Sequence, residues 1–113
     1  MENFIKTYII LMLKQANFKT DDIIISFISG DISYINKSRG IIGTETLRCE
    51  IEISPLSKHF NRLDLIRIFK PQQIEINNIK VMQRYIGFVR RDMDVSEATN
   101  LILKIDFTYD IGE

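Results

Sequence analysis

The chain has 113 residues, 45% hydrophobic and 27% charged, the balance of a packed globular domain and well away from chains that stay disordered. That length leaves room for one domain, 1–113, and fifteen basic residues set against fifteen acidic ones give a formal net charge of zero, so no overall field draws the molecule to nucleic acid or an anionic membrane. A lone cysteine, Cys49, and a lone histidine, His59, exclude an internal disulfide framework and a His/Cys metal cluster of the usual kind.

The first expected element is a helix from Asn3 to Ala16, where Ile5, Tyr8, Ile9, Met12, Leu13 and Ala16 recur at spacings of three and four with no Gly or Pro between them. Asn17 suits the left-handed turn that closes such a helix. Ile10 and Leu11 widen the apolar stripe beyond what one core contact requires, which points to a second contact. The apolar run Tyr8 to Leu13 is broken by Lys14 and has no small-residue cleavage site, so the segment is taken as mature structure. With no run near the roughly 18 apolar residues a bilayer span needs, the expected location is the cytoplasm or a virion or tail-like particle.

Ile23 to Ile28 is a short β-branched run expected to be a buried strand, followed by a turn at Gly30-Asp31 and a further extended piece from Ile32 to Ile35. Lys37 to Gly43 is polar and punctuated by Gly40 and Gly43, so it is expected to be a loop with an apolar bump at Ile41-Ile42. Glu45 to Ile53 alternates Leu47, Cys49, Ile51 and Ile53 with Thr46, Arg48, Glu50 and Glu52, the pattern of a half-buried strand ended by Pro55. A second helix is expected over Ser57 to Phe69, with Phe60, Leu63, Leu65 or Ile66, and Phe69 inward, closed by Pro71.

Gln73 to Ile76 and Ile79 to Phe88 read as strands joined by a tight turn at Asn77-Asn78, with Gly87 marking a bulge. Arg90 to Asn100 reads as a charged linker, and Leu101 to Tyr109 as a second alternating strand. The element order gives an α+β fold, an antiparallel sheet of about five strands with two helices on one face.

No constellation suggests chemistry of its own. Cys49 falls on the dry face of a strand and His59 beside a loop, so a plain core cysteine is the simpler reading than a catalytic pair. Gly40 and Gly43 lack the lysine, hydroxyl and spacing of a phosphate loop. Asp92, Asp94 and Glu97 resemble the start of a calcium loop but lack its glycine and closing glutamate, and neutralisation of Arg90 and Arg91 accounts for them more simply. Lys80, Arg84, Arg90 and Arg91 beside Tyr85 and Phe88 have the composition of a single-strand nucleic-acid binder. Three positions between the two aromatics place them on opposite faces of a regular strand, which argues against it.

The stretch Tyr85-Ile86-Gly87-Phe88-Val89-Arg90-Arg91-Asp92-Met93-Asp94, with Leu101-Ile102-Leu103-Lys104-Ile105-Asp106-Phe107-Thr108-Tyr109, resembles the Arg-Arg-Asp loop and closing aromatic strand of the tail-terminator and tail-completion proteins of long-tailed bacteriophages. That resemblance implies a non-enzymatic protein forming a ring, commonly a hexamer, at the end of a tail tube. Phe69-Lys70-Pro71 before Ile74-Glu75-Ile76, with Asn36-Lys37-Ser38-Arg39-Gly40, is similar to segments of the small baseplate-wedge subunit of phage tails and type VI secretion systems.

The functional expectation is therefore a structural subunit of a tail-like assembly, with a baseplate-wedge subunit and a soluble partner-binding protein such as an immunity protein or secretion chaperone as alternatives. No catalytic residue, cofactor or metal is expected. Partners are protein subunits, among them further copies of the chain, and the candidate interface residues are Arg39, Ile41, Ile42, Arg90, Arg91, Asp92 and Asp94.

Overall fold

A computed structural model describes residues 1–18, 20–21, 23–28, 32–37, 40–53, 62–92 and 99–112. In chain order the elements are α1 (Glu2–Gln15), β1 (Ile23–Ile28), β2 (Ile32–Lys37), β3 (Gly40–Ile53), α2 (Arg62–Ile68), β4 (Gln72–Ile76), β5 (Ile79–Asp92) and β6 (Thr99–Gly112). The strands form one antiparallel sheet in the order β1-β3-β6-β5-β4, with β2 also paired to β3, and both helices pack against it. The expected α+β architecture is what the chain adopts.

Ile5, Ile9 and Leu13 are the fully buried residues of α1. They repeat every four residues and so line one face, and each such burial contributes about 2 kcal/mol over exposure. Glu2 in the first turn and Lys14 in the last complement the helix dipole. The helix ends at the expected residue: Asn17 has a φ of 66°, its N–H donates to the Lys14 carbonyl at 3.0 Å, and the Phe18 N–H donates to the Leu13 carbonyl at 2.9 Å. These two bonds form a Schellman closure, and Phe18 packs on the core that holds Leu13.

On the sheet, Leu47, Cys49, Ile51 and Ile53 of β3 and Leu103, Ile105, Phe107 and Tyr109 of β6 supply the buried face. In β5 the same face is carried by Val81, Gln83 and Tyr85, which stand opposite Tyr109, Phe107 and Ile105. The two-residue turn between β4 and β5 falls at Asn77 and Asn78, with φ of 50° and 63°, the left-handed pair that matches the twist of a hairpin. A register shift between Tyr85 and Gly87 marks the expected bulge.

Four expectations need correction. The chain does not reverse between β1 and β2: both pair antiparallel with β3, β1 against Arg48–Ile53 and β2 against Gly40–Glu45, so they run in the same direction along one edge. Ile41 and Ile42 are strand residues of β3 paired with Asn36 and Ile35, since a neighbouring strand supplies the hydrogen bonds that the local sequence does not advertise. Arg90, Arg91 and Asp92 likewise belong to β5, opposite Leu101, Asn100 and Thr99, and not to a linker. In α2, Leu65 and Phe69 are buried while Leu63 is exposed, so the inward phase differs from the one that included Leu63. The part of that expected helix before Arg62 lies outside the described residues.

Candidate interaction surfaces

The interior holds one buried polar side chain among the described residues, Gln83, with no exposure at all. Its Oε1 accepts a bond from the Tyr8 hydroxyl at 2.9 Å, and its Nε2 donates to the Lys70 carbonyl at 2.9 Å. Tyr8 also meets Phe107 edge-on, ring centroids 6.4 Å apart. One amide therefore ties α1 and the chain just after α2 to the middle of β5. Buried polar groups of this kind mark a site when they lack partners, and this one has them.

Cys49 is fully buried on β3. Burial pushes its thiol up to about 12, with Glu50 adding to the shift, so it is protonated and inert at neutral pH. His59, its expected alternative partner in chemistry, lies outside the described residues. Among the described residues no group of three or more His, Cys, Asp or Glu could hold a metal ion, and no helix is long and apolar enough to cross a membrane.

The outer face of the sheet is a lattice of cross-strand pairs. Arg48 binds Asp106 through two bonds of 2.9 and 3.1 Å, Lys104 stands 3.8 Å from Glu50, and the Thr46 and Thr108 hydroxyls share a bond of 2.9 Å. These residues lie opposite one another in the β3–β6 register, which is why their charges match. Tyr109, on the other face, donates to Glu45 at 2.8 Å. Burial, then the bond to Glu45, holds its hydroxyl above the ordinary value.

No family model, curated protein or solved structure matches the chain.

The sequence-selected interface residues divide into two groups. Ile41 and Ile42 lie near the end of the β2–β3 hairpin, beyond the Gly43–Gly112 pair where β6 stops. Arg90, Arg91 and Asp92 lie at the other end, beside Leu101, Asn100 and Thr99. Between them runs the length of β6 from Thr99 to Gly112, about 40 Å of extended chain. The fold thus keeps the groups apart, and no single contact between two chains at one spot uses both. Arg39 and Asp94 lie outside the described residues.

The nucleic-acid reading changes in its detail. Because of the bulge, Tyr85 stands opposite Ile105 and Phe88 opposite Leu103, two positions apart on β6, so the register departs from that of a regular strand. Tyr85 nonetheless packs against the hydrophobic core, which removes it as a platform for stacking bases.

Exposed apolar side chains lie outside the candidate interface residues, although the stripe widened by Ile10 and Leu11 points to a second contact on α1. Phe4 and Leu11 are 49% and 53% exposed on α1, seven residues apart and so on one side of the helix. The widened stripe at Leu11 was the signal for them. At the sheet edge, Ile24 and Ile28 are exposed on the outer face of β1, while Ile32 of β2, paired with Glu45, is exposed on the other face. Their signal was weaker, since a continuous Ile-rich run does not say which of its residues face solvent.

Proposed function

We propose that the chain is a non-enzymatic subunit that works by binding other protein chains, its own copies included, within a larger assembly. The observation that carries this reading is two pairs of exposed apolar side chains on separate surfaces, Phe4 and Leu11 on α1 and Ile24 and Ile28 on the outer face of β1. Large apolar groups grouped on a surface are the usual mark of a protein contact. Among the described residues, Gln83 is used in structural bonds and Cys49 is held as a neutral thiol.

The tail-like context rests on the resemblance of residues 85–94 and 101–109 to tail-terminator and tail-completion proteins. Within that context the two ends of the long sheet, carrying Ile41-Ile42 and Arg90-Arg91-Asp92, are where a ring subunit meets its neighbours. The baseplate-wedge reading stays as a second proposal, because Phe69 is anchored in the core and Pro71 leads straight into the β4–β5 hairpin, the arrangement that resemblance describes.

Native mass spectrometry of the purified chain, alone and mixed with the products of its neighbouring genes, tests the proposal. Assemblies larger than the monomer are expected in at least one mixture. A chain that remains monomeric in every mixture refutes it, and a tight one-to-one complex with a toxin or effector transfers the protein to the immunity or chaperone class.

A further inference from the structure

The two edges of the sheet differ. At one edge β4 has five residues, is preceded by Pro71, carries Glu75 and lies against α1. A short, charged strand entered through proline is a protected edge. At the other edge β1 reads Ile-Ile-Ile-Ser-Phe-Ile, with no charge, proline or glycine, and pairs with β3 along one side. Ile24 and Ile28 are 61% and 48% exposed on its outer face. On its inner face Ile23, Ile25 and Phe27 are half-buried, whereas Cys49, Ile51 and Ile53 beside them on β3 are fully buried. Apolar side chains on both faces of this strand are therefore left partly uncovered.

We propose that β1 pairs with β1 of a second copy, antiparallel about a two-fold axis through Ser26, to form a homodimer with one continuous sheet. The inference rests on the reading that the chain functions through contacts with other chains, and it names the surface and the occupant. Self-pairing fits because of parity. Opposite residues share a face, so the inner faces of two copies join when residues of like parity meet. Centring on Ser26 places Ile24 opposite Ile28 of the other copy, Ile25 opposite Phe27, and the single polar side chain opposite itself, where two hydroxyls can share a hydrogen bond.

The charges one strand further in do not oppose this pairing. Arg48 stands in the row of Ile28 and Glu52 in the row of Ile24, so the two-fold axis puts Arg48 of each copy in line with Glu52 of the other, three strand spacings or about 14 Å away, a distance at which salt screens the attraction. Glu50 falls in line with its own counterpart across two serines, about 14 Å away, beyond the screening length at physiological salt, and each has its own Lys104. The paired edge is about 20 Å long, a smaller contact than the roughly 800 Å² per partner of a standard stable interface. The dimer is accordingly of moderate affinity, visible by concentration.

Sedimentation equilibrium of the full chain from about 10 to 300 µM, a range set by micromolar association, is expected to show a monomer–dimer equilibrium. Ile24→Lys with Ile28→Lys, both at exposed positions, places like charges opposite one another twice and is expected to weaken the dimer at least about 10-fold, with an unchanged circular dichroism spectrum. Ile24→Lys with Ile28→Glu places opposite charges in the same two positions and is expected to restore it. Ser26→Cys is expected to form an intermolecular disulfide on mild oxidation, since residues opposite across strands have the spacing a disulfide needs. A wild-type chain monomeric throughout overturns the inference, as does a dimer that survives the double lysine change or is not restored by the Lys/Glu pair. In each of those cases, assembly through another surface leaves the wider reading standing.

Discussion

The two faces of the sheet come from the same strands by simple alternation, yet they are held by different forces. On the inner face Leu47, Cys49, Ile51, Leu103, Ile105 and Phe107 are almost wholly removed from water beneath two helices. On the outer face the intervening Thr46, Arg48, Glu50, Lys104, Asp106 and Thr108 bind one another across strands and remain in contact with solvent. The inner face supplies stability through area buried. The outer face supplies register, because a slip of one residue would set Arg48 and Asp106 against the wrong partners and turn the apolar set outward.

The comparison is sharpest where side chains are removed. Phe107→Ala is expected to cost about 3–5 kcal/mol in denaturant unfolding, because it leaves a cavity beneath Tyr8 in a packed interior. A cost under about 1 kcal/mol, within the range of surface changes, would mean the inner face is not close-packed there. Gln83→Leu comes next. It strands the Tyr8 hydroxyl and the Lys70 carbonyl and is expected to cost about 2–3 kcal/mol, with a smaller increment when Tyr8→Phe is already present, which a double-mutant cycle measures.

Alkaline titration gives a third contrast. The folded state raises the Cys49 thiol from 9.0 to about 12 and holds the Tyr109 hydroxyl above 10.0, burial being the largest cause in both. A raised folded value means the folded chain keeps protons that the unfolded chain releases. The contribution of Cys49 to stability is therefore complete below pH 9 and is lost as pH rises from 9 through 12. Cys49→Ala should make that limb shallower. A thermal-unfolding series with the same slope for both proteins would remove Cys49 from the account. Last, Arg48→Ala is expected to cost no more than about 1 kcal/mol, since the Arg48 side chain is nearly half exposed. A larger loss in added salt as well as in its absence would show that the outer lattice bears more of the fold than its exposure implies.

Much of the architecture was legible because it is written in local pattern. Asn17, the Asn77-Asn78 pair and Gly87 occupy positions where the backbone needs left-handed or irregular geometry, and each marks the end, turn or bulge expected of it. The alternation in β3 and β6 identified the inner residues, while Ile102, on the opposite parity, is buried as well. Long-range pairing was less visible. The segment Gly40 to Gly43 has loop composition and becomes strand because β2 lies beside it, and Arg90 to Asp92 because β6 does. The continuation of β1 into β2 along one edge depends on β3, which follows both in the chain. The candidate interface residues stand out by charge and by apolar bumps in stretches of loop composition, a signal that Ile24 and Ile28 lack, because their solvent exposure is decided by the position of β1 at the sheet edge. Gln83 was likewise passed over, although its parity with Val81 and Tyr85 placed a polar group on the dry side of β5.

The amide of Gln83 has one further consequence. Its oxygen belongs to the first helix and its nitrogen to the turn that leaves the second, so releasing either helix disturbs the anchor of the other. Such shared fastening makes the helical layer open as a single cooperative unit, and amide protons at Ile9 and Leu65 should then exchange with solvent in step, sharing one opening free energy.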